Sequence, residues 1–181
     1  MKMEHLKLTR PMKELEAQFI EFINEFRSIG ETRPERAFEE SKKNFDFYLK
    51  WTARAEQNID LPPNTVPFTT YWLVRNDQDI LGSCHLRHYL NPPLEIEGGH
   101  IGYNIRPDER QKGYGTRQLE LILKECPKHH LHDVLITCDA DNIGSKKIIE
   151  NNGGILENQV FSPYSNKPVL RFWIHLGEAS S

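Results

Sequence analysis

Apolar side chains recur along the chain with two periods, and the switches between them mark the elements. Met12, Leu15, Phe19, Phe22, Ile23 and Phe26 keep helical spacing behind Pro11. The fixed φ of a proline suits a first helical turn, which predicts a helix over about 11–28, closed by Gly30 and preceded by a short strand over 4–9. A polar stretch over 30–43 leads into a second helix over about 44–57, carrying Phe45, Tyr48, Leu49 and Trp51. Pro62 and Pro63 then make a loop. From Phe68 the period drops to two. Residues 68–75 and 80–89 read as an antiparallel pair turning at Asn76–Asp79, and 90–97 reads as the connection to the next strand.

The stretch from His100 to Glu125 organises the rest. Ile101, Tyr103 and Ile105 alternate as in a strand with one covered face, and Pro107 ends it. Leu119, Ile122, Leu123 and Cys126 then form the apolar stripe of a helix. Between strand and helix stands Gly113-Tyr114-Gly115-Thr116, flanked by Arg110, Lys112 and Arg117. Val134–Ile136 is a continuous run of β-branched residues and leucine, as in a parallel strand covered on both faces, and joins the first strand by a right-handed crossover. A helix over about 143–151 stops at Asn152-Gly153-Gly154, and strands over 155–161 and 168–176 finish the chain.

A strand that enters a glycine loop and then a helix gathers unpaired amides at the positive end of a helix dipole, which is a phosphate-binding arrangement. The glycines allow close approach, and the three cations can add charge-assisted bonds. A solvated basic turn is the alternative. A Walker loop is excluded, because Thr116-Arg117 follows the second glycine where Lys-Ser/Thr is required. A dinucleotide fingerprint is excluded by Gln118 at its third small position.

Composition narrows the rest. With 181 residues the chain has room for one domain, 1–181, and net charge −3 with a pI near 6.2 gives no global case for nucleic acid or an anionic membrane. Cys84, Cys126 and Cys138 match neither a disulfide framework nor a zinc pattern, and read as reduced thiols of a cytoplasmic protein. The charged N-terminus has no apolar core of a secretion signal, and no run approaches the ~20 apolar residues of a membrane helix. His129, His130 and His132 are spaced as a surface turn with no accompanying ligand pattern, so no metal is expected.

Arg110-x-x-Gly113-x-Gly115 behind a strand resembles the acetyl-CoA pyrophosphate loop of the GNAT N-acetyltransferases. The likeness extends over roughly 66–176, through Val134–Cys138, the following Asp139-Ala140-Asp141-Asn142 and the Ser145–Ile149 helix. The wording GHIGYNIRPDERQKGYGT, TCDADN and IIENNGG is similar to a bacterial group of predicted acetyltransferases. The resemblance implies an α/β fold of the α+β type with a mixed sheet: about seven mostly antiparallel strands, a central parallel pair that splays, and four helices. It also implies acetyl transfer from acetyl-CoA, as cosubstrate, to the amine of a small molecule by direct attack in a ternary complex. The first two helices would wall the acceptor pocket, although most of their aromatics are expected in the core, and homodimers through the C-terminal strands occur in the family.

Site residues carried by the resemblance are the backbone of Tyr103, Asn104, Ile105 and Arg106 along the pantetheine, with an amide of Ile105 or a neighbour on the thioester carbonyl. Arg110, Gln111, Lys112, Gly113, Tyr114, Gly115 and Thr116 would surround the pyrophosphate. Asn142, with Ser145 on the same turn, would bind the pantetheine, or else cap the last helix. Two positions depart from the family pattern. Ile149 stands where many members carry the tyrosine that protonates the leaving thiolate, with Tyr164 and Cys138 as substitutes. Gly99 stands where histone-acetylating members carry a glutamate base; Glu97 is the candidate, ahead of Glu95 and His100. Those departures motivate a second reading, a non-catalytic acyl-CoA-binding module. A protein or peptide acetyltransferase is a third.

Overall fold

The structure, a computed structural model, describes residues 4–31 and 44–177. The polar stretch expected to lead into the second helix lies largely outside them. Strand β1 (Leu6–Thr9) is followed by a 3-10 turn at Lys13–Leu15 and helix α1 (Glu16–Ser28), and then by α2 (Phe45–Glu56). Strands β2 (Phe68–Arg75) and β3 (Asp79–Arg87) form the expected hairpin. Next come α3 (Pro92–Ile96), β4 (Ile101–Ile105), α4 (Tyr114–Leu123), β5 (Asp133–Asp139), α5 (Ile143–Asn151), β6 (Ile155–Ser162) and β7 (Lys167–His175).

Helix α3 lies within the connection expected over 90–97. Asn91 Oδ1 accepts the Leu94 amide at 3.2 Å, and Pro92 opens the first turn, so Asn-Pro-Pro starts a helix here. With it, five α-helices are present among the described residues, one more than the resemblance implies.

The strands form two antiparallel sheets, in order β1-β2-β3-β4 and β5-β7-β6. They meet where β4 and β5 run side by side, but no ladder joins these two strands. The His100 amide donates to Leu135 O at 2.7 Å, and beyond that point the strands part. The splay expected of the central pair is therefore a gap between two sheets, held at its base by residues 98–100.

Each sheet face takes its own cover. Phe19, Phe22, Phe26, Phe45 and Tyr48 from α1 and α2 pack on Trp72 and Val74 of β2, with the Phe19 and Trp72 rings stacked at 4.9 Å. Most aromatics of the first two helices are thus core, as their composition suggested; Trp51 instead lines a small cavity. On the opposite face Leu119, Ile122 and Cys126 of the α4 segment join Cys84, Ile101, Ile136, Phe172 and Ile149 in one cluster spanning both sheets. This shared core fixes α4 over the point where the strands diverge.

Candidate active site

The divergence opens a cleft of about 1300 Å³ between β4, the loop before α4, and α5. The alternation of an antiparallel ladder supplies its first wall. Arg106 N donates to Leu81 O at 2.8 Å, so Asn104 and Gly102, in the same register, also turn their backbone groups to β3. Tyr103 and Ile105 turn theirs the other way, into the gap. An extended ligand can add to this edge as a strand would.

The second wall is the start of α4. Gly113 takes φ +88° as the N-terminal cap, its carbonyl accepts the Arg117 amide at 3.1 Å, and no side chain caps the helix. The amides of Tyr114, Gly115 and Thr116 therefore lack intrahelical partners. A β-carbon at Gly113 would meet nothing within 4 Å, so the space in front of these amides is open. Gly115 serves packing: a β-carbon there would collide with Ile148 of α5. Asn152 fastens the two helices, giving Nδ2 to Thr116 O at 3.2 Å and to Ile148 O at 2.8 Å.

Of the cofactor-site residues named from sequence, all but Arg106, Lys112 and Tyr114 line this cleft. Tyr114 points away, its hydroxyl donating to Glu4 Oε1 at 2.8 Å. The three loop cations are engaged by carboxylates: Arg110 by both oxygens of Glu31 at 2.8 and 2.6 Å, Lys112 by Glu109, and Arg117 by Glu120. Arg110 Nε also donates to Ile105 O at 3.1 Å. Lys147 of α5, which sequence reading passed over, lines the cleft with no carboxylate partner among the described residues. Its signal was the Lys146-Lys147 pair at a helix start.

Asn142 caps α5, its Oδ1 accepting the Ser145 amide at 2.9 Å. Ser145 Oγ lies 2.7 Å from the Tyr103 hydroxyl, which bridges the gap from β4 to α5. Burial pushes the Tyr103 phenol up to about 12, against the opposing pull of Ser145, so it holds its proton at neutral pH. Ile149 is fully buried in the shared core. The sequence singled out Tyr103 for its backbone; the strand parity that turns its side chain toward α5 was the signal for its hydroxyl.

The other candidates gather at the base of the gap. Glu97 accepts from Ser162 Oγ, and the same Oγ accepts the Tyr164 amide at 3.2 Å. One buried serine thus ties Glu97 to the loop bearing Tyr164, although neither lines the large cleft, and the Tyr164 side chain is largely exposed. Glu95 contributes its carbonyl to Arg171 Nε at 2.8 Å. His100 is buried, with Nδ1 accepting the Leu135 amide at 2.9 Å, and burial lowers it to about 4. Cys138 is buried, and that burial raises its thiol to about 11. Gly99 takes φ +59°, and a β-carbon there would run into the Leu135 carbonyl and lie 3.1 Å from Ile136 Cα. No side chain fits at that position.

His129 stacks on the His88 ring at 4.1 Å, and among the described residues no group of three His, Cys, Asp or Glu side chains is arranged to hold a metal ion. Among them, too, no helix is long and apolar enough to cross a membrane.

Comparison with solved structures finds the same architecture end to end. The ribosomal-protein-S5-alanine acetyltransferase from Vibrio fischeri superposes with a TM-score of 0.68 at 14% identity, covering 100% of this chain and 98% of that one. RimJ of Mycobacterium smegmatis, in complex with CoA-disulfide, gives 0.69 at 12% identity over 94% and 81%. The aminoglycoside acetyltransferase AAC(6')-Ib, in complex with coenzyme A, gives 0.62 at 14% identity over 94% and 95%. No curated protein sequence matches the chain. The family model for the acetyltransferase (GNAT) domain matches residues 8–155, most of the chain and the whole strand, glycine-loop and helix unit described above. By that match, and by a fold whose sheets part beside an uncapped helix, the chain belongs to the GNAT acetyltransferase family.

Proposed function

We propose that the protein is an N-acetyltransferase that moves an acetyl group from acetyl-CoA to the amine of a small molecule. The observation that carries this reading is the cleft itself, with the free edge of β4 on one side and open amides of α4 on the other. Acetyl-CoA fits the donor set: the amides of 114–116 with Lys147 suit a diphosphate, and the edge of Tyr103 and Ile105 suits an amide-bearing arm. Bound there, it supplies the activated acetyl group.

The chain's own residues divide the remaining work. An Ile105 or Tyr103 amide would stabilise charge growing on the acetyl oxygen. The Tyr103 phenol, protonated and held against Ser145, would return a proton to the departing sulfur, in place of the tyrosine that Ile149 replaces. Glu97 would take the proton that the attacking amine gives up. The three buried cysteines, unpaired, suit a reducing cytoplasm.

A release assay for free thiol over a panel of amines tests the proposal, and turnover of at least one amine is the expected result. The second reading, a non-catalytic acyl-CoA-binding module, is favoured by Gly99 and Ile149 at the usual catalytic positions; calorimetric binding of CoA with no turnover of any amine would establish it. Structures named for ribosomal-protein and aminoglycoside acceptors both share the fold at 13–14% identity, so the acceptor has to come from this chain's own surfaces.

A further inference from the structure

Where α2 packs on β2 and β3 lies a second cavity, of about 260 Å³, lined by Trp51, Phe68, His85, Arg87 and Leu94 with the loop at 64–66. Its walls are largely flat or apolar: Trp51 and Phe68 pack at 5.5 Å, and the His85 ring meets Phe68 edge-on at 5.2 Å. His85 is held by Thr70, Nδ1 to Oγ1 at 3.1 Å, and burial lowers it to about 4, which leaves the ring uncharged at neutral pH.

Arg87 is the exception in this lining. Its Nη1 donates to the carbonyls of Gly98 and Gly99 at 3.0 and 2.9 Å. Among the described residues Nε and Nη2 donate to no protein acceptor, and no carboxylate pairs with the guanidinium. Other large cations near β4 are neutralised, Arg106 by Glu25 and Glu21, and Arg110 by Glu31. A desolvated guanidinium with one edge of its fork unused is a seat for a carboxylate.

Arg87 also reaches the strand that walls the large cleft. Arg87 Nη2 would stand 3.7 Å from a β-carbon at Gly102, so the absent side chain leaves the guanidinium beside β4. Gly102 precedes Tyr103, which lines the cleft. One strand residue spans about 3.3 Å. A carboxylate on Arg87 would therefore leave only a few bonds to an amine at the reacting centre.

We infer that the acceptor is an amino carboxylate, with its carboxylate on Arg87 and an apolar or aromatic side chain against Trp51 and Phe68. The volume suits a hydrophobic α-amino acid. This inference rests on the acetyl-transfer reading and deepens it. The amine nitrogen forms the new bond to the acetyl carbon, the carbon–sulfur bond breaks, and one proton leaves nitrogen as one reaches sulfur.

The test compares matched acceptors that differ only in the carboxylate: L-phenylalanine against phenethylamine, and L-leucine against isopentylamine. The expected result is kcat/KM higher by about 10- to 100-fold for the carboxylated member of each pair, the range expected of a charge-assisted contact. In Arg87→Met that ratio collapses toward one. Equal rates within the pairs for the unaltered enzyme, or a ratio that survives in folded Arg87→Met, overturns the inference while leaving acetyl transfer intact. If Arg87→Met fails to fold, Arg87→Lys takes its place; if neither folds, the pairwise ratio of the unaltered enzyme decides. Absence of turnover with every amine sinks acetyl transfer instead. Calorimetric titration of L-phenylalanine and phenethylamine into the CoA-loaded protein then decides: binding of the amino acid alone supports the seat, and equal or absent binding overturns it.

Discussion

His100 and Leu135 hold each other through two hydrogen bonds, His100 N to Leu135 O at 2.7 Å and Leu135 N to His100 Nδ1 at 2.9 Å. The pair closes the base of the gap between the sheets, and it requires an imidazole whose Nδ1 is a bare acceptor. Burial lowers His100 from the ordinary 6.5 to about 4, so protonation would remove the acceptor. The unfolded chain takes up its proton near the ordinary value and the folded one only near 4, so stability is full above that ordinary value and is lost as pH falls between the two. At about 1.4 kcal/mol per unit the loss is of order 3 kcal/mol. Thermal melts between pH 7.5 and 4.5 should show Tm falling through this window, with a shallower fall in His100→Gln.

Gly99 predicts a second outcome. Restoring a glutamate at the usual base position should not rescue or enhance catalysis, because the site has positive φ and the β5 backbone occupies the place of a β-carbon. Gly99→Ala should already cost on the order of 2 kcal/mol or more, combining left-handed strain with overpacking. Denaturant titration measures it. Gly99→Glu with wild-type stability would show that the two strands can part.

Tyr103→Phe keeps the ring in its packing and removes the hydroxyl from Ser145. Loss of a general acid costs typically 10²–10⁴-fold in rate. A fall of about that size in kcat with KM for acetyl-CoA little changed is the expected outcome of steady-state kinetics.

For Glu97→Gln, kcat/KM at neutral pH should drop by about 10²-fold or more in steady-state kinetics. Ser162→Ala removes the partner that holds the carboxylate, and should weaken kcat less than Glu97→Gln does.

Gly113→Ala separates conformation from crowding. Nothing lies within 4 Å of the new methyl, so the cost is the left-handed backbone alone, about 1 kcal/mol. KM for acetyl-CoA should rise as the amides lose their aim.

The local features were legible in the sequence because each is written in neighbouring residues. The strand with Ile101, Tyr103 and Ile105, the glycine turn and the α4 stripe all follow from spacing, and Asn142 at the α5 cap follows from residue type. What joins distant segments was not legible. Glu31 meets Arg110 across 79 positions, so a loop read as three open cations is in fact ion-paired. Gly99 could be aligned with a catalytic position, but its crowding by Leu135 exists only once β5 is in place. The short helix at Pro92 was hidden by its two prolines, which signal a loop unless an asparagine before them supplies the cap. Arg87 gave no signal at all, since its want of a carboxylate partner among the described residues is a property of everything around it.

The bidentate contact between Arg110 and Glu31 has a bearing on how the cleft fills. A diphosphate arriving at the loop does not discover a bare positive well; it displaces one anion from a guanidinium that already has its due. Loading is then an exchange of counter-charges rather than a neutralisation, and raising the ionic strength should slow it less than it would for a pocket of unpaired cations.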